Sequence, residues 1–197
     1  MMNKYFYWYF EKALPEKLCD RITKLGKSTK SKNGKINTGK KLKNNKDVRN
    51  SNVVWLDKKW IYEAVIDYLI KANRNAGWNF DFDFTEPAQF TIYKNKQFYD
   101  WHVDMWQDPY ENRNPNWNGK VRKISCTVQL TDPSEYTGGE LEFTDGHPTN
   151  PSTRICTEAR EKGSIVVFPS YQWHRVKPVT KGTRYSLVLW SCGYPFK

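Results

Sequence analysis

Thr183-Arg184-Tyr185-Ser186-Leu187-Val188-Leu189-Trp190 reads as a β-strand with two unlike faces. Side chains alternate along a strand, so Tyr185, Leu187 and Leu189 share one face while Arg184, Ser186, Val188 and Trp190 share the other. The first face is apolar and suits a core. The second carries a guanidinium among apolar neighbours, where an unpaired charge is costly, so it demands an anion. A planar fork of N–H groups matches a carboxylate through two parallel hydrogen bonds, and the Ser186 hydroxyl could add a third. The plainer alternative is a surface arginine on an edge strand, or one paired to Glu140 or Glu142.

Working outward, short strand-like runs fill the second half of the chain: Gln89 to Tyr93, Tyr99 to His102, Lys123 to Leu130, Glu140 to Phe143, Ser164 to Phe168 and Trp173 to Lys177. Turn clusters such as Asp132-Pro133-Ser134, Gly138-Gly139 and Lys181-Gly182 separate them. Many short strands without intervening helices predict two packed antiparallel sheets, a jelly roll. Upstream, Leu14, Leu18, Ile22 and Leu25 recur at helical spacing behind Pro15, which suits a first helical turn. Val53 to Leu56 reads as a strand, Asp57 as the cap of a second helix carrying Trp60, Ile61, Val65 and Leu69, and Gly77 as its end. The expected fold is mainly β with N-terminal helices (α+β), one domain over residues 1–197. Residues 1–80 form a helical support and residues 88–192 the jelly-roll core.

A chain of 197 residues suits one core, and nine Trp, twelve Tyr and ten Phe favour strands with large buried areas. No apolar run approaches the length of a bilayer span and no signal peptide is evident, so a soluble cytoplasmic protein with no membrane partner is expected. Cys19, Cys126, Cys156 and Cys192 form no Cys-x-x-Cys pair and read as buried free thiols. The formal net charge of +11 is uneven: Lys24 to Lys46 holds nine lysines and no acid. Its Gly, Ser and Asn content predicts a solvated loop. Such a loop serves either as a lid or patch for an acidic partner or nucleic acid, or simply as a solubilising insert. The Lys- and Asn-rich composition suggests an AT-rich genome such as a phage's, acting in a bacterial host.

Of three histidines, one sits in Trp101-His102-Val103-Asp104, where a two-residue step along an extended chain points His and Asp to one side. His174 follows the predicted strand ending at Phe168 and could arrive from elsewhere in a closed sandwich. Two imidazoles and one carboxylate on one face, with the remaining positions open, suit ferrous iron that must bind an organic acid and dioxygen together. A hydrogen-bonded structural histidine is the plain alternative for His102. His147 lies in a turn, with Asp145 as its near carboxylate in reversed order. Trp101, Trp106, Tyr171 and Trp173 flank the proposed ligands as a substrate rim or as core.

His102-Val-Asp104, then His174, then Arg184 ten residues later in an Arg-x-Ser strand, resembles the iron(II)/2-oxoglutarate dioxygenase superfamily, most closely its prolyl 4-hydroxylase-like branch. Gly138-Gly139-Glu140-Leu141 and Gly163 to Phe168 look like that branch's glycine turn and the strand before its second histidine. The resemblance implies iron held by His102, Asp104 and His174, with 2-oxoglutarate and O2 as co-substrates and ascorbate as an allied reductant. It also implies that Arg184 meets the far carboxylate, with Tyr93 and Trp190 in the co-substrate pocket. Thr127 and Gln129, on the strand that could line that pocket, are supporting candidates. The implied reaction hydroxylates a protein or peptide side chain, proline among the candidates, and releases succinate and CO2.

Three other readings compete. A nucleic-acid demethylase of the same superfamily would use the lysine segment to follow phosphates, but no second arginine follows Arg184. A non-catalytic jelly-roll binding module would ignore metal and 2-oxoglutarate. A zinc hydrolase could use the same triad but leaves Arg184 and Ser186 unexplained.

Overall fold

A computed structural model describes residues 5–37, 42–43, 45–145, 149 and 152–196. Two helices, α1 (Glu16–Ser28) and α2 (Lys59–Asn75), accompany strands that dominate the chain. The strands of the first part are β1 (Trp8–Phe10), β2 (Lys32–Asn33), β3 (Ile36–Asn37), β4 (Leu42–Lys43), β5 (Arg49–Asn50), β6 (Asn52–Leu56), β7 (Phe84–Thr85), β8 (Ala88–Tyr93) and β9 (Phe98–His102). The second part holds β10 (Val121–Gln129), β11 (Tyr136–Gly138), β12 (Leu141–Thr144), β13 (Thr153–Ile155), β14 (Ile165–Pro169), β15 (His174–Val176), β16 (Val179–Gly182) and β17 (Arg184–Gly193).

The larger sheet runs β1-β14-β10-β17-β8-β6-β2, with β7 also paired to β17; the smaller runs β13-β12-β15-β9-β5. Every pairing in both is antiparallel, as a jelly roll requires. One face of the larger sheet, with Phe90, Ile124, Cys126, Val128, Ile165, Val167, Leu187 and Leu189, packs under the helices through Cys19, Ile22, Ile61, Val65, Leu69 and Ala72. The opposite face meets the smaller sheet through a second cluster that includes Tyr93, Val166, Phe168, Leu141 and Phe143. Because β14 is covered on both sides, its sequence is a continuous apolar run. The strand Thr183 to Trp190 behaves as its alternation predicts, with Tyr185, Leu187 and Leu189 toward the helices and Arg184, Ser186, Val188 and Trp190 on the wall of a large cavity.

Several local expectations are corrected. Pro15 is not in the first turn of α1 but caps it, at φ −58° and ψ 143°, and the buried stripe is Cys19, Ile22 and Gly26, with Leu18 and Leu25 only partly covered. Lys58, not Asp57, stands at the cap of α2, and the Asp57 carboxylate accepts from the Tyr62 hydroxyl at 3.2 Å. The segment Lys24 to Lys46 is not one unpacked loop. Lys24 and Lys27 belong to α1, β2 adds to the larger sheet beside β6, and Ile36 is buried. Lys40 and Lys41 lie outside the described residues, as does His147. All four cysteines are buried and free. Among the described residues no helix is long and apolar enough to cross a membrane.

Two glycines fix how elements meet. Gly26 lets α1 approach the sheet so closely that a methyl group there would strike the Phe90 ring. Gly26→Ala is expected to cost about 1–3 kcal/mol through overpacking, seen as a lower urea midpoint at an unchanged slope. Gly182 has φ +73° just before β17, and a side chain there would meet the Glu135 carbonyl. That turn starts β17 at Arg184 and pins its register against Tyr93 and Gln129.

Candidate active site

The two sheets enclose a cavity of about 1400 Å³ into which His102, Asp104, His174 and Arg184 all point. His102 at the end of β9 and His174 at the start of β15 are direct register partners across the smaller sheet. The strand stops at His102, so Asp104 is placed by the loop beyond it, where the Asp104 and Met105 N–H groups both donate to the Ser170 carbonyl at 2.8 Å. Ligand-capable atoms of all three residues lie within 4.8 Å of one another. Nε2 of His102 is 3.7 Å and Nε2 of His174 3.6 Å from the two Asp104 oxygens.

Backbone carbonyls orient both rings. His102 Nδ1 lies 2.7 Å from the Asp100 carbonyl and His174 Nδ1 2.9 Å from that of Gln172. A carbonyl only accepts, so each Nδ1 carries the proton and each Nε2 presents its lone pair to the shared space, as a metal requires. Burial, together with the neighbouring His174, holds the His102 pKa well below the ordinary imidazole value, which keeps the ring neutral. For Asp104, burial pulls the pKa upward, but the neighbouring His174, His102 and Arg122 outweigh it and the carboxyl stays ionised. The Ser125 hydroxyl donates to Asp104 Oδ2 at 2.8 Å and pairs with the Ser170 hydroxyl at 2.9 Å.

Arg184 is 3% exposed, and neither Glu140 nor Glu142 neutralises it: Glu140 meets Arg160, and Glu142 meets Arg175 and Lys177. Its Nη1 is buried with no hydrogen-bond partner among the described residues, while its guanidinium carbon lies 5.7 Å from the Tyr93 ring. Burial raises the Tyr93 pKa despite Arg49 and Arg184, so its phenol remains a proton donor. Ser186, Tyr93, Trp190 and Thr127 line the cavity as expected. Gln129 is the register partner of Ser186, and its amide nitrogen donates to the Thr131 carbonyl and the Tyr136 hydroxyl. Trp101, Trp106 and Trp173 border the cavity, whereas Tyr171 packs against Phe80 and Phe196.

Sequence reasoning missed four contributors: Ser125, Glu86, Arg122 and Arg49. Ser125 shares the strand parity of Thr127 and Gln129, a signal that was available. Glu86, 2% exposed, receives Arg122 on both oxygens at 2.6 and 2.7 Å and the Tyr110 hydroxyl at 2.6 Å, and Arg122 in turn lies 3.8 Å over the Trp190 ring. Nothing in periodicity announces that network, nor the buried Arg49 on the opposite wall.

The donor set fits a metal that keeps open positions, and the orphaned Arg184 nitrogen fits the carboxylate of an organic acid bound beside it. Comparison with known proteins agrees. A PKHD-type hydroxylase of Xylella fastidiosa (strain M12) is 36% identical over 107 residues, covering 54% of this chain and 44% of that protein. One from Delftia acidovorans is 36% identical over 108 residues, covering 53% and 42%. The matched region thus spans less than half the length of these curated relatives. Among solved structures, the fold is shared with a viral collagen prolyl hydroxylase of Paramecium bursaria Chlorella virus-1 (TM-score 0.67, 18% identity, 96% of this chain and 97% of that one). A Pseudomonas putida prolyl-4-hydroxylase is similar to the same degree (TM-score 0.67, 19% identity, 95% and 92%). The family model of the 2OG-Fe(II) oxygenase superfamily matches residues 88–192, which include every side chain of the His–Asp–His face and Arg184, and the chain belongs to that superfamily.

Proposed function

We propose that this chain hydroxylates a prolyl residue of a protein or peptide, with His102, Asp104 and His174 holding iron and Arg184 holding 2-oxoglutarate. Membership of the superfamily implies ferrous iron, 2-oxoglutarate and O2. The observation that carries the reading is the buried Arg184 Nη1, which has no hydrogen-bond partner among the described residues and stands in the same cavity as the three ligand-capable side chains. A zinc hydrolase would have no use for it. The helices and the jelly roll over residues 88–192 act as one domain in this reading. Four buried free thiols suit a reducing compartment such as the bacterial cytoplasm.

When bound, iron and 2-oxoglutarate couple oxidative decarboxylation, giving succinate and CO2, to insertion of one oxygen atom into a substrate C–H bond. The chain's own residues bind and orient. Arg184 would pair the far carboxylate of the co-substrate, with the Ser186 and Tyr93 hydroxyls on the same cavity wall as further donors. The carbonyls of Asp100 and Gln172 hold both imidazoles in the ligating tautomer.

The assay is direct: proline-containing peptides are offered with Fe(II), 2-oxoglutarate and air, and succinate and a gain of one oxygen on proline are followed by mass spectrometry. Equimolar succinate and oxidised proline are expected; oxidation of a nucleobase instead, or no response to 2-oxoglutarate at all, would reject the proposal. Ser125→Ala provides a finer check. Removing the donor to Asp104 is expected to weaken Mn(II) binding by about 10–100-fold, measured by titration below the melting midpoint, and to cost the metal-free protein about 1–3 kcal/mol because a buried carboxylate loses its donor.

A further inference from the structure

Arg49 lines the cavity on β5, at the edge of the smaller sheet, and is 8% exposed. Three neutral acceptors hold its guanidinium: Nε donates to Ser51 Oγ at 2.9 Å, Nη1 to the Lys35 carbonyl at 3.1 Å and Nη2 to Gln89 Oε1 at 2.6 Å. A guanidinium has five N–H groups, so two are unspent. Among the described residues no carboxylate pairs with it, and the remaining positions of the chain contain no Asp or Glu. A buried cation without a counter-charge is costly unless an anion arrives with a ligand.

Its surroundings add to the same sign. Lys32 and Lys35 line the cavity too, and the chain between Asp20 and Asp47 carries nine lysines and no acid. A cleft wall of one sign focuses its field on an incoming opposite charge. The Arg49 guanidinium lies 4.4 Å over the Tyr99 ring, and Tyr99 stacks on His102 with centroids 3.4 Å apart at 11°. An anion at Arg49 would therefore sit one ring away from the His–Asp–His face. The Arg184 position is separate: Arg49 is bonded to Gln89, four residues along β8 from Tyr93, which is the register partner of Arg184.

We propose that Arg49, assisted by Lys32 and Lys35, seats an acidic side chain of the polypeptide substrate beside the residue that is oxidised, so that the enzyme selects acidic segments. This rests on the peptide-hydroxylase reading above. A polypeptide is favoured over a phosphodiester chain because Arg49 is a single sunken guanidinium, which suits one isolated anion, whereas a nucleic-acid backbone presents a row of phosphates. In addition, β2 ends the larger sheet beside the cavity and leaves backbone groups for an extended peptide to pair with.

The test uses the full chain, immobilised with Mn(II) and 2-oxoglutarate, to capture peptides from a library with a fixed central proline and randomised flanks. Captured peptides are expected to favour Asp and Glu over Asn and Gln by about ten-fold, as one charge-assisted pair predicts, at one fixed position relative to proline. That preference should vanish in Arg49→Gln and weaken in Arg49→Lys, while the double variant Lys32→Gln/Lys35→Gln lowers capture evenly and keeps the position. Acid enrichment spread over all positions and erased by salt would mean attraction by surface lysines only, and would overturn the proposal. So would a positional preference that survives Arg49→Gln, no preference, or an oligothymidylate that displaces the peptides in an Arg49-dependent way. The wild-type comparison needs no variant to fold. The thermal response to Mn(II) with 2-oxoglutarate, read on the same protein, reports the oxygenase reading separately, because capture ratios do not depend on turnover.

Discussion

Asp104→Ala is expected to remove the thermal stabilisation that Mn(II) gives the wild-type protein, and with it all 2-oxoglutarate-dependent turnover. Asp104 is the one anion of the face and the group to which both Nε2 atoms are nearest, so its loss leaves two neutral imidazoles to hold a dication. Removing an outer-shell partner such as Ser125 costs about 10–100-fold in affinity, and removing the ligand itself must cost more. A ligand that binds only the folded state stabilises it by RT ln(1 + [L]/Kd), so the lost response is read directly in the melting temperature. The metal-free variant should remain folded, because the Ser125 and Ser170 hydroxyls still pair with each other. Retention of the full Mn(II) response by the variant would mean that the metal binds elsewhere, and the assignment of this face would fall.

Arg184→Met separates the two ligands. The manganese response is expected to persist while the additional stabilisation by 2-oxoglutarate disappears, with KM for 2-oxoglutarate raised by roughly 100- to 1000-fold, the scale of losing one partner of a buried charge pair. Arg184→Lys should recover part of it, since a point charge replaces the planar fork. The same substitution has an opposite effect on the empty protein. Replacing a buried, unpaired guanidinium with an apolar chain of similar volume is expected to raise metal-free stability by about 1–4 kcal/mol. A variant more stable than the wild type and blind to 2-oxoglutarate would show that the arginine is kept for its ligand. A variant that simply unfolds would show that its role is structural.

How much of this was legible in the sequence depends on how local the cause is. The alternation from Arg184 to Trp190 is a two-residue period, and the sheet obeyed it because one face had helices to meet and the other a cavity. The His-x-Asp spacing was also sufficient to pair His102 with Asp104, although β9 ends at His102 and the carboxylate is held by the Ser170 carbonyl, a residue 66 positions later in the chain. Two- and three-residue strands such as β5 and β11 carry no period to read. The lysine segment misled because its composition is polar throughout, yet β2 pairs through its backbone, which composition does not register. Arg49, Glu86 and Arg122 gain their meaning from partners far along the chain. The two curated relatives named above are bacterial and lend no support to a phage origin.

The central position of β17 joins two properties that are separate in most enzymes. It lies between β10 and β8, so its amides are among the last that thermal fluctuation can expose to exchange with solvent. A one-residue slip would drive Arg184 into the helix-covered core and turn Leu187 and Leu189 to the cavity, ruining stability and the proposed co-substrate anchor together. Misfolded copies with a working anchor are thereby excluded, and a cell that clears unstable chains by proteolysis also clears inactive ones.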